Sequence, residues 1–207
     1  MLSHAQPKDL KIKVVNIVTK SLLIPPFSLS LLFSDFPPAS NFPGNVVLLK
    51  SNDPKSKTNF SIFQSGAVIS RGSRSIQSFE ANLSWLRSFL LDYQVELGER
   101  YEITNIVSVA TLSLHSFDLS ILASYLPNCS YDPSPMLFAT GHEHLVNVVT
   151  FHFSGDRKAK PRRTALIFPT GNITLTGFNS FPDLENHAVQ LSSLLQQISE
   201  KHPEVIR

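Results

Sequence analysis

The chain has 207 residues, 42% of them apolar and 16% charged, with a net charge of +2. That is enough apolar side chain for a core of useful size, and the composition is not that of a disordered chain. No apolar run approaches the roughly 18–20 residues that span a bilayer, residues 1–13 are too polar for a signal peptide, and the single Cys129 excludes an intrachain disulfide or a cysteine zinc motif and fits a reducing compartment.

Residues 10–20 alternate as a strand, with Ile12, Val14, Asn16 and Val18 on one face and Lys11, Lys13, Val15 and Ile17 on the other. Pro25-Pro26 ends it, and residues 27–36 predict a short helix closed by Pro37-Pro38. Phe42-Pro43-Gly44 introduces a strand over 45–50, and a Ser/Asn/Asp/Pro/Lys turn leads to strands over 60–63 and 67–71. Residues 75–93 break the alternation. Phe79, Leu83, Leu86, Phe89, Leu90 and Tyr93 fall at helical spacing, an apolar stripe that needs a sheet to lie on. A polar joint over 95–100 follows.

The second half repeats the plan: a strand over 101–112 containing Asn105, a short helix over 117–126, an irregular passage over 127–141 and a strand over 145–153. A basic loop over 154–161, a hairpin of 163–168 and 172–178, and a helix over 184–201 complete it. The parallel extends to residues. Ile62-Phe63-Gln64-Ser65-Gly66 matches Ile167-Phe168-Pro169-Thr170-Gly171, 105 positions later, and both run on to a second glycine, Gly72 and Gly177. Asn16-Ile17-Val18 matches Asn105-Ile106-Val107 at an offset of 89, and the helix from Phe27 matches that from Phe117 at 90. The second half therefore carries about 15 extra residues, expected between Tyr131 and Arg163. Two repeats are expected, 10–95 and 101–201, sharing one sheet in an α+β layer structure with helices on one face and the other face open.

Charge divides unevenly between them. Residues 1–95 hold ten Lys and Arg against five Asp and Glu, and residues 101–207 hold seven against nine, which suggests different partners for the two halves or ordinary surface charge. The open face reads Asn16, Val18, Ile69 and Arg71 in one half and Asn105, Val107, Thr174 and Thr176 in the other. Small polar and apolar side chains suit the floor of an A·T-rich minor groove, whose base edges offer acceptors. Asn is disfavoured mid-strand, so finding it twice at one place argues for a surface role.

The ordered set of Asn-Ile-Val, short helix, Phe-Pro-Gly, Ile-Phe-x-Ser/Thr-Gly, closing Gly and long helix, largely repeated, resembles the TATA-box-binding protein family from Lys11 to Ser199. The resemblance implies a pseudo-two-fold saddle, a curved antiparallel sheet with helices on the convex face and an underside that binds and bends A/T-rich DNA. By the same resemblance, Asn16 and Asn105 are the central base readers, Val18, Val107 and Ile69 the apolar floor, and Thr176 the second-half threonine. Phe42 and Phe63 match one pair of intercalating rings, Phe168 and Phe138 the other. The implied partners are double-stranded DNA, factors resembling transcription factors IIB and IIA, and the RNA polymerase machinery, in the nucleus or at the site of transcription of a virus or archaeon. No cofactor and no membrane are implied.

The departures are specific. Arg71 stands where the family has threonine, and Thr174 replaces an aliphatic residue. Phosphate-binding lysines fall on Ala67, Asn172 and Asn179, and only Arg74 keeps its charge, so weaker and less salt-sensitive binding is expected. The extra residues enlarge the stirrup over 134–162. A protein-interaction scaffold with weak or altered DNA binding is the rival reading, and a substrate-positioning lobe of a nucleic-acid enzyme a third. Arg157 to Arg163 reads as a phosphate clamp, a nuclear-import tract or a solvated loop. His142-Glu143-His144 lacks a third metal ligand at convincing spacing. No G-x-S-x-G elbow, P-loop or paired-acid motif supports an enzyme.

Overall fold

The computed structural model describes residues 10–36, 46–53, 56–111, 116–131, 136–137, 143–144, 147–153 and 162–207. The chain divides into two compact units, one spanning Val14–Ile106, the other Val107–Arg207 together with the start of the chain up to Lys13.

In the first unit the strand order is β2-β3-β4-β1-β5, formed by β1 (Lys11–Leu23), β2 (Val46–Lys50), β3 (Asn59–Phe63), β4 (Ala67–Ser73) and the early part of β5 (Leu97–Thr111). Alternation sets the faces. Ile17, Thr19, Ser21 and Leu23 of β1 are buried, as are Val68 and Ser70 of β4 and Phe60 and Ile62 of β3. The buried pair Thr19 and Ser70 share a hydroxyl hydrogen bond of 2.8 Å, so two polar side chains are accommodated within the core face.

Helix α1 (Ser30–Asp35) is short, and α2 (Ile76–Leu91) is the longer cover. The Ser75 hydroxyl caps α2 by accepting from the Ser78 amide at 3.1 Å. Phe79, Leu83, Leu86 and Leu90 are all buried, three or four residues apart, and form one cluster with Phe60, Ile62, Val68 and Val47. Each such side chain contributes about 1.5–3 kcal/mol on burial.

Asn82 lies within that apolar stripe and was not foreseen. Its amide donates to the Ser56 hydroxyl at 3.0 Å and accepts from Ser51, while Thr58 and Ser73 share a bond of 2.8 Å. These contacts pin the segment before β3 and the end of β4 to α2.

The second unit has the order β5-β11-β10-β9-β6, using the rest of β5 with β6 (Cys129–Tyr131), β9 (Val149–His152), β10 (Thr164–Ile167) and β11 (Asn172–Phe178). A separate pair joins β7 (Met136–Leu137) to β8 (Glu143–His144). Helices α3 (Leu119–Tyr125) and α4 (Phe181–Lys201) supply the cover, with Leu184, Ala188, Leu191, Leu195 and Ile198 buried along α4.

Asp118 caps α3, accepting from the Ser120 and Ile121 amides at 3.1 and 3.3 Å. Its other oxygen meets the Arg207 guanidinium at 2.6 Å, and Phe117 bridges to Ile206. The cap and cation hold the Asp118 carboxyl well below the usual carboxylate range, the Ser120 hydroxyl bond being the largest cause.

Some bounds differ from the sequence reading. The expected polar joint at 95–100 holds a fully buried Val95 and the start of β5, because Leu97 continues the core. Within the expected irregular passage, Cys129–Tyr131 pairs with β9. Helix α4 begins at Phe181 because Ser180 caps it and Pro182 suits its first turn.

Candidate nucleic-acid interface

The interface candidates lie on the sheet face turned away from α2 in the first unit. Strand β4 supplies Ala67, Ile69 and Arg71, and register fixes their neighbours: Asn59 stands opposite Arg71 and Ser61 opposite Ile69. On the other side Lys20 stands opposite Ile69 and Leu22 opposite Ala67. From β2, Lys50 pairs with Asn59 and Leu48 with Ser61. Asn16, Val18, Phe63 and Ile69 are half-buried, and Arg71 and Arg74 are exposed.

A bulge organises this face. Register between β1 and β4 slips between Ile17 and Thr19, so that Arg71 and Gly72 together oppose Val18. Gly72 has a φ of +101°, and a β-carbon there would lie 2.1 Å from the Lys57 carbonyl oxygen. Only glycine fits. Its amide, turned out of the ladder, donates to Asn16 Oδ1 at 2.7 Å. A backbone N–H can face only an acceptor, so the Asn16 amide is oriented with its oxygen toward Gly72. Two Nδ2 hydrogens are left for the open face.

The second unit has the same local frame at positions 105 later. Gly177 has a φ of +87°, and a β-carbon there would lie 2.1 Å from the Arg162 carbonyl oxygen. Here Thr164 stands opposite Thr176 and Leu166 opposite Thr174, and on the far side His152 pairs with Thr164 and Thr150 with Leu166. Asn105, Val107, Thr174 and Thr176 are half-buried.

Phe63 and Phe168 occupy matching places, each at the entry to a turn: the Gly66 amide donates to the Phe63 carbonyl at 2.9 Å and the Gly171 amide to that of Phe168 at 3.1 Å. Both rings are half-buried rather than enclosed in the core. Phe42 and Phe138 lie outside the described residues, as do His142 and the whole basic loop over 154–161. Arg163, the last residue of the basic stretch that begins at Arg157, makes an ion pair of 2.8 Å with Asp183.

The perturbed titrating groups sit elsewhere. The Tyr93 and Tyr101 hydroxyls are raised by burial and by donation to Asp35 and Glu80, the Tyr125 hydroxyl by donation to Glu204 and then by burial, and burial raises the Cys129 thiol. No group of three or more metal-ligating side chains occurs among the described residues. Nor, among them, is any helix long and apolar enough to cross a membrane.

Comparison with known proteins bears on this arrangement. Residues 100–198 match the family model described as "Transcription factor TFIID (or TATA-binding protein, TBP)". The chain is 29% identical over 187 residues to TATA-box-binding protein 2 of Haloferax volcanii, covering 86% of this chain and 89% of that protein. It is 26% identical over 179 residues to the TATA-box-binding protein of Pyrococcus furiosus, covering 84% and 83%. The solved structure of Methanococcus jannaschii TBP superposes with a TM-score of 0.70 at 21% identity, covering 90% of this chain and 99% of that one. The chain is similar to TATA-box-binding proteins over most of its length, and its second half matches that family's model. Its fold is the α+β saddle expected from the sequence.

Within this TATA-box-binding-protein-like fold, the sequence reading missed several face residues. Register puts Lys20, Lys50, Asn59 and Ser61 on the open face of the first unit, and Thr164 and Leu166 on that of the second. The signal was present, because a period-two pattern on one strand fixes its neighbour's face once a tight turn joins them. It was read along strands and not across them.

Proposed function

We propose that the chain acts as a transcription initiation factor that binds A/T-rich, TATA-like duplex DNA through the minor groove, bends it, and recruits further initiation factors. The observation that carries this reading is the oriented Asn16 amide on an open strand face, its oxygen held by the Gly72 amide at 2.7 Å. A·T pairs expose only acceptors in the minor groove, whereas a G·C pair adds the guanine N2 amino donor. An amide presenting only N–H groups matches the first and conflicts with the second. Val18 and Ile69 beside it give an apolar floor, and Thr174 and Thr176 add hydroxyls in the second unit. The half-buried Phe63 and Phe168 rings, held at turn entries, suit insertion between base steps. Such insertion costs a few kcal/mol of unstacking per step, offset by contact with the bent duplex.

Similarity to TATA-box-binding proteins supports the transcriptional role, with DNA, factors resembling transcription factors IIB and IIA, and the polymerase machinery as partners at the site of transcription. The function is non-enzymatic. The sparse cations among the described residues of the second unit's face favour one further reading, a protein-interaction scaffold with weak DNA binding.

Mobility shift combined with end-labelled FRET bending, comparing a TATA-containing duplex with a G·C-rich one, separates the two. Selective binding and bending of the TATA duplex is expected. Equal weak binding to both without bending overturns the DNA reading and leaves the scaffold.

A further inference from the structure

Two asparagines lie on the open face of the first unit, and each is anchored to backbone by the opposite end of its amide. Asn16 gives its oxygen to the Gly72 amide, which leaves it two N–H groups. Asn59, the first residue of β3, donates from Nδ2 to the Lys57 carbonyl at 2.9 Å. A carbonyl can face only a donor, so the Asn59 amide is fixed with its nitrogen toward the chain. Its oxygen and its second N–H remain, and neither has a partner among the described residues.

The surroundings favour a polyanion. Asn59 stands between Arg71 on β4 and Lys50 on β2, with no carboxylate in the row. The Arg71 guanidinium reaches Ser61 Oγ at 3.4 Å and does not use the Asn59 oxygen. Strand order places β3 two strands from β1, about 10 Å across the face. That exceeds the roughly 6 Å width of a minor groove, so Asn16 and Asn59 address different base pairs. The second unit has Thr164 at this place. Its hydroxyl turns to the Arg162 carbonyl at 3.4 Å, again two residues back, but it carries no second donor.

Resting on the proposed DNA-binding role, we propose that Asn59 is a specificity-determining residue that reads a guanine at the flank of the A/T-rich site. In the minor groove a guanine edge sets the N2 amino donor beside the N3 acceptor. The oxygen and second N–H of Asn59 are the complement of that pair, whereas an adenine edge offers the acceptor alone. The first unit thus takes A·T under Asn16 and G·C at the flank. A guanine in a TpG step suits a bent duplex, because such steps kink readily, as TpA steps do.

The test uses the full chain and a TATA duplex flanked by A·T pairs, with each pair replaced in turn by I·C or by G·C. The two replacements differ only in the guanine amino group, so the ratio of their dissociation constants reports that group at each position. Within the TATA element, wild type is expected to bind the G·C duplexes more weakly than the I·C ones. At one flanking pair it is expected to bind G·C about tenfold tighter, the size of one good bidentate base contact. Asn59→Ala is expected to bring that flanking ratio to within about twofold of unity and to melt within about 2 °C of wild type. The ratios inside the element stay as in wild type. Asn59→Thr, with an acceptor but no second donor, is expected to keep part of the preference. Binding in both orientations spreads the preference over both flanks, and Asn59→Ala still removes it.

If G·C binds no tighter than I·C at every flanking pair, the proposal is overturned. A flanking preference that survives Asn59→Ala belongs to another group and overturns it too. Equal weakening of every duplex by Asn59→Ala marks a positioning contact, which again overturns it. If wild type does not bind even the unsubstituted TATA duplex, the DNA-binding reading fails first and this inference with it. Binding without the flanking preference removes this inference alone.

Discussion

Replacing Asn16 with aspartate or with alanine separates what holds the bulge from what reads a base. In the folded chain the Asn16 oxygen accepts from the Gly72 amide at 2.7 Å, and the side chain is half-buried. Asn16→Asp keeps an acceptor there and, as a charged one, forms a bond at least as strong. Stability is therefore expected to stay within about 0.5 kcal/mol of wild type, the range of a substitution that leaves no group unpaired. Asn16→Ala leaves the Gly72 amide without its partner, which costs about 1–3 kcal/mol for a buried group and the lower part of that range here. For a chain of this size about 1 kcal/mol corresponds to a fall in melting temperature of about 2–4 °C.

DNA binding is expected to show the opposite order. Both variants lose the two Nδ2 donors, and each good base contact is worth about 1–3 kcal/mol of discrimination. The aspartate also points a charge at an acceptor-lined groove, so Asn16→Asp should bind a TATA duplex more weakly than Asn16→Ala although it is the more stable protein. Urea unfolding and fluorescence anisotropy at two salt concentrations measure the two quantities. Wild-type affinity in Asn16→Asp would refute donor reading by this amide. A melting temperature as low as that of Asn16→Ala would refute the role assigned to the Gly72 contact.

Three further outcomes are expected. Phe63→Ala and Phe168→Ala should reduce FRET-measured bending far more than thermal stability, since both rings are half-buried; unfolding of each variant would mark them as core. Gly177→Ala should lower unfolding free energy by at least the roughly 1–3 kcal/mol of a strained backbone, because its β-carbon would lie 2.1 Å from the Arg162 carbonyl oxygen, and a neutral result in urea denaturation would contradict that close approach. Asp118→Ala should lower the melting temperature near neutral pH through loss of the α3 cap. The lowered folded-state pKa means that Asp118 contributes stability above its unfolded value and loses it as pH falls through the folded one, so wild type and variant should converge in acid. A gap that stays constant down to the acid transition would refute the linkage.

Much of the architecture was legible in the sequence because the signals were redundant. The stripe of Phe79, Leu83, Leu86 and Leu90 has one periodic reading, and the structure buries all four. Gly72 and Gly177 stood out as closing glycines, and backbone geometry supplies the reason, a positive φ with no room for a side chain. What escaped was information carried between strands. Asn59 and Ser61 gain significance only from standing opposite Arg71 and Ile69, which depends on pairing register. Asn82 escaped for a similar reason: a polar residue in an apolar stripe looks like an interruption until Ser51 and Ser56 are brought to it by the segment before β3. The Asn16 amide was identified as a surface group, but its orientation depends on a bulge that no strand pattern predicts.

The glycine-and-carbonyl contact at residues 72 and 57, present again at 177 and 162, leaves the neighbouring side chains free to differ, as Arg71 and Thr176 do. It works as a socket, fixed in the chain path and indifferent to what is mounted beside it. Exchanging the trio Asn59, Ser61 and Arg71 with Thr164, Leu166 and Thr176 should therefore move a recognition preference from one half of the molecule to the other without rebuilding either.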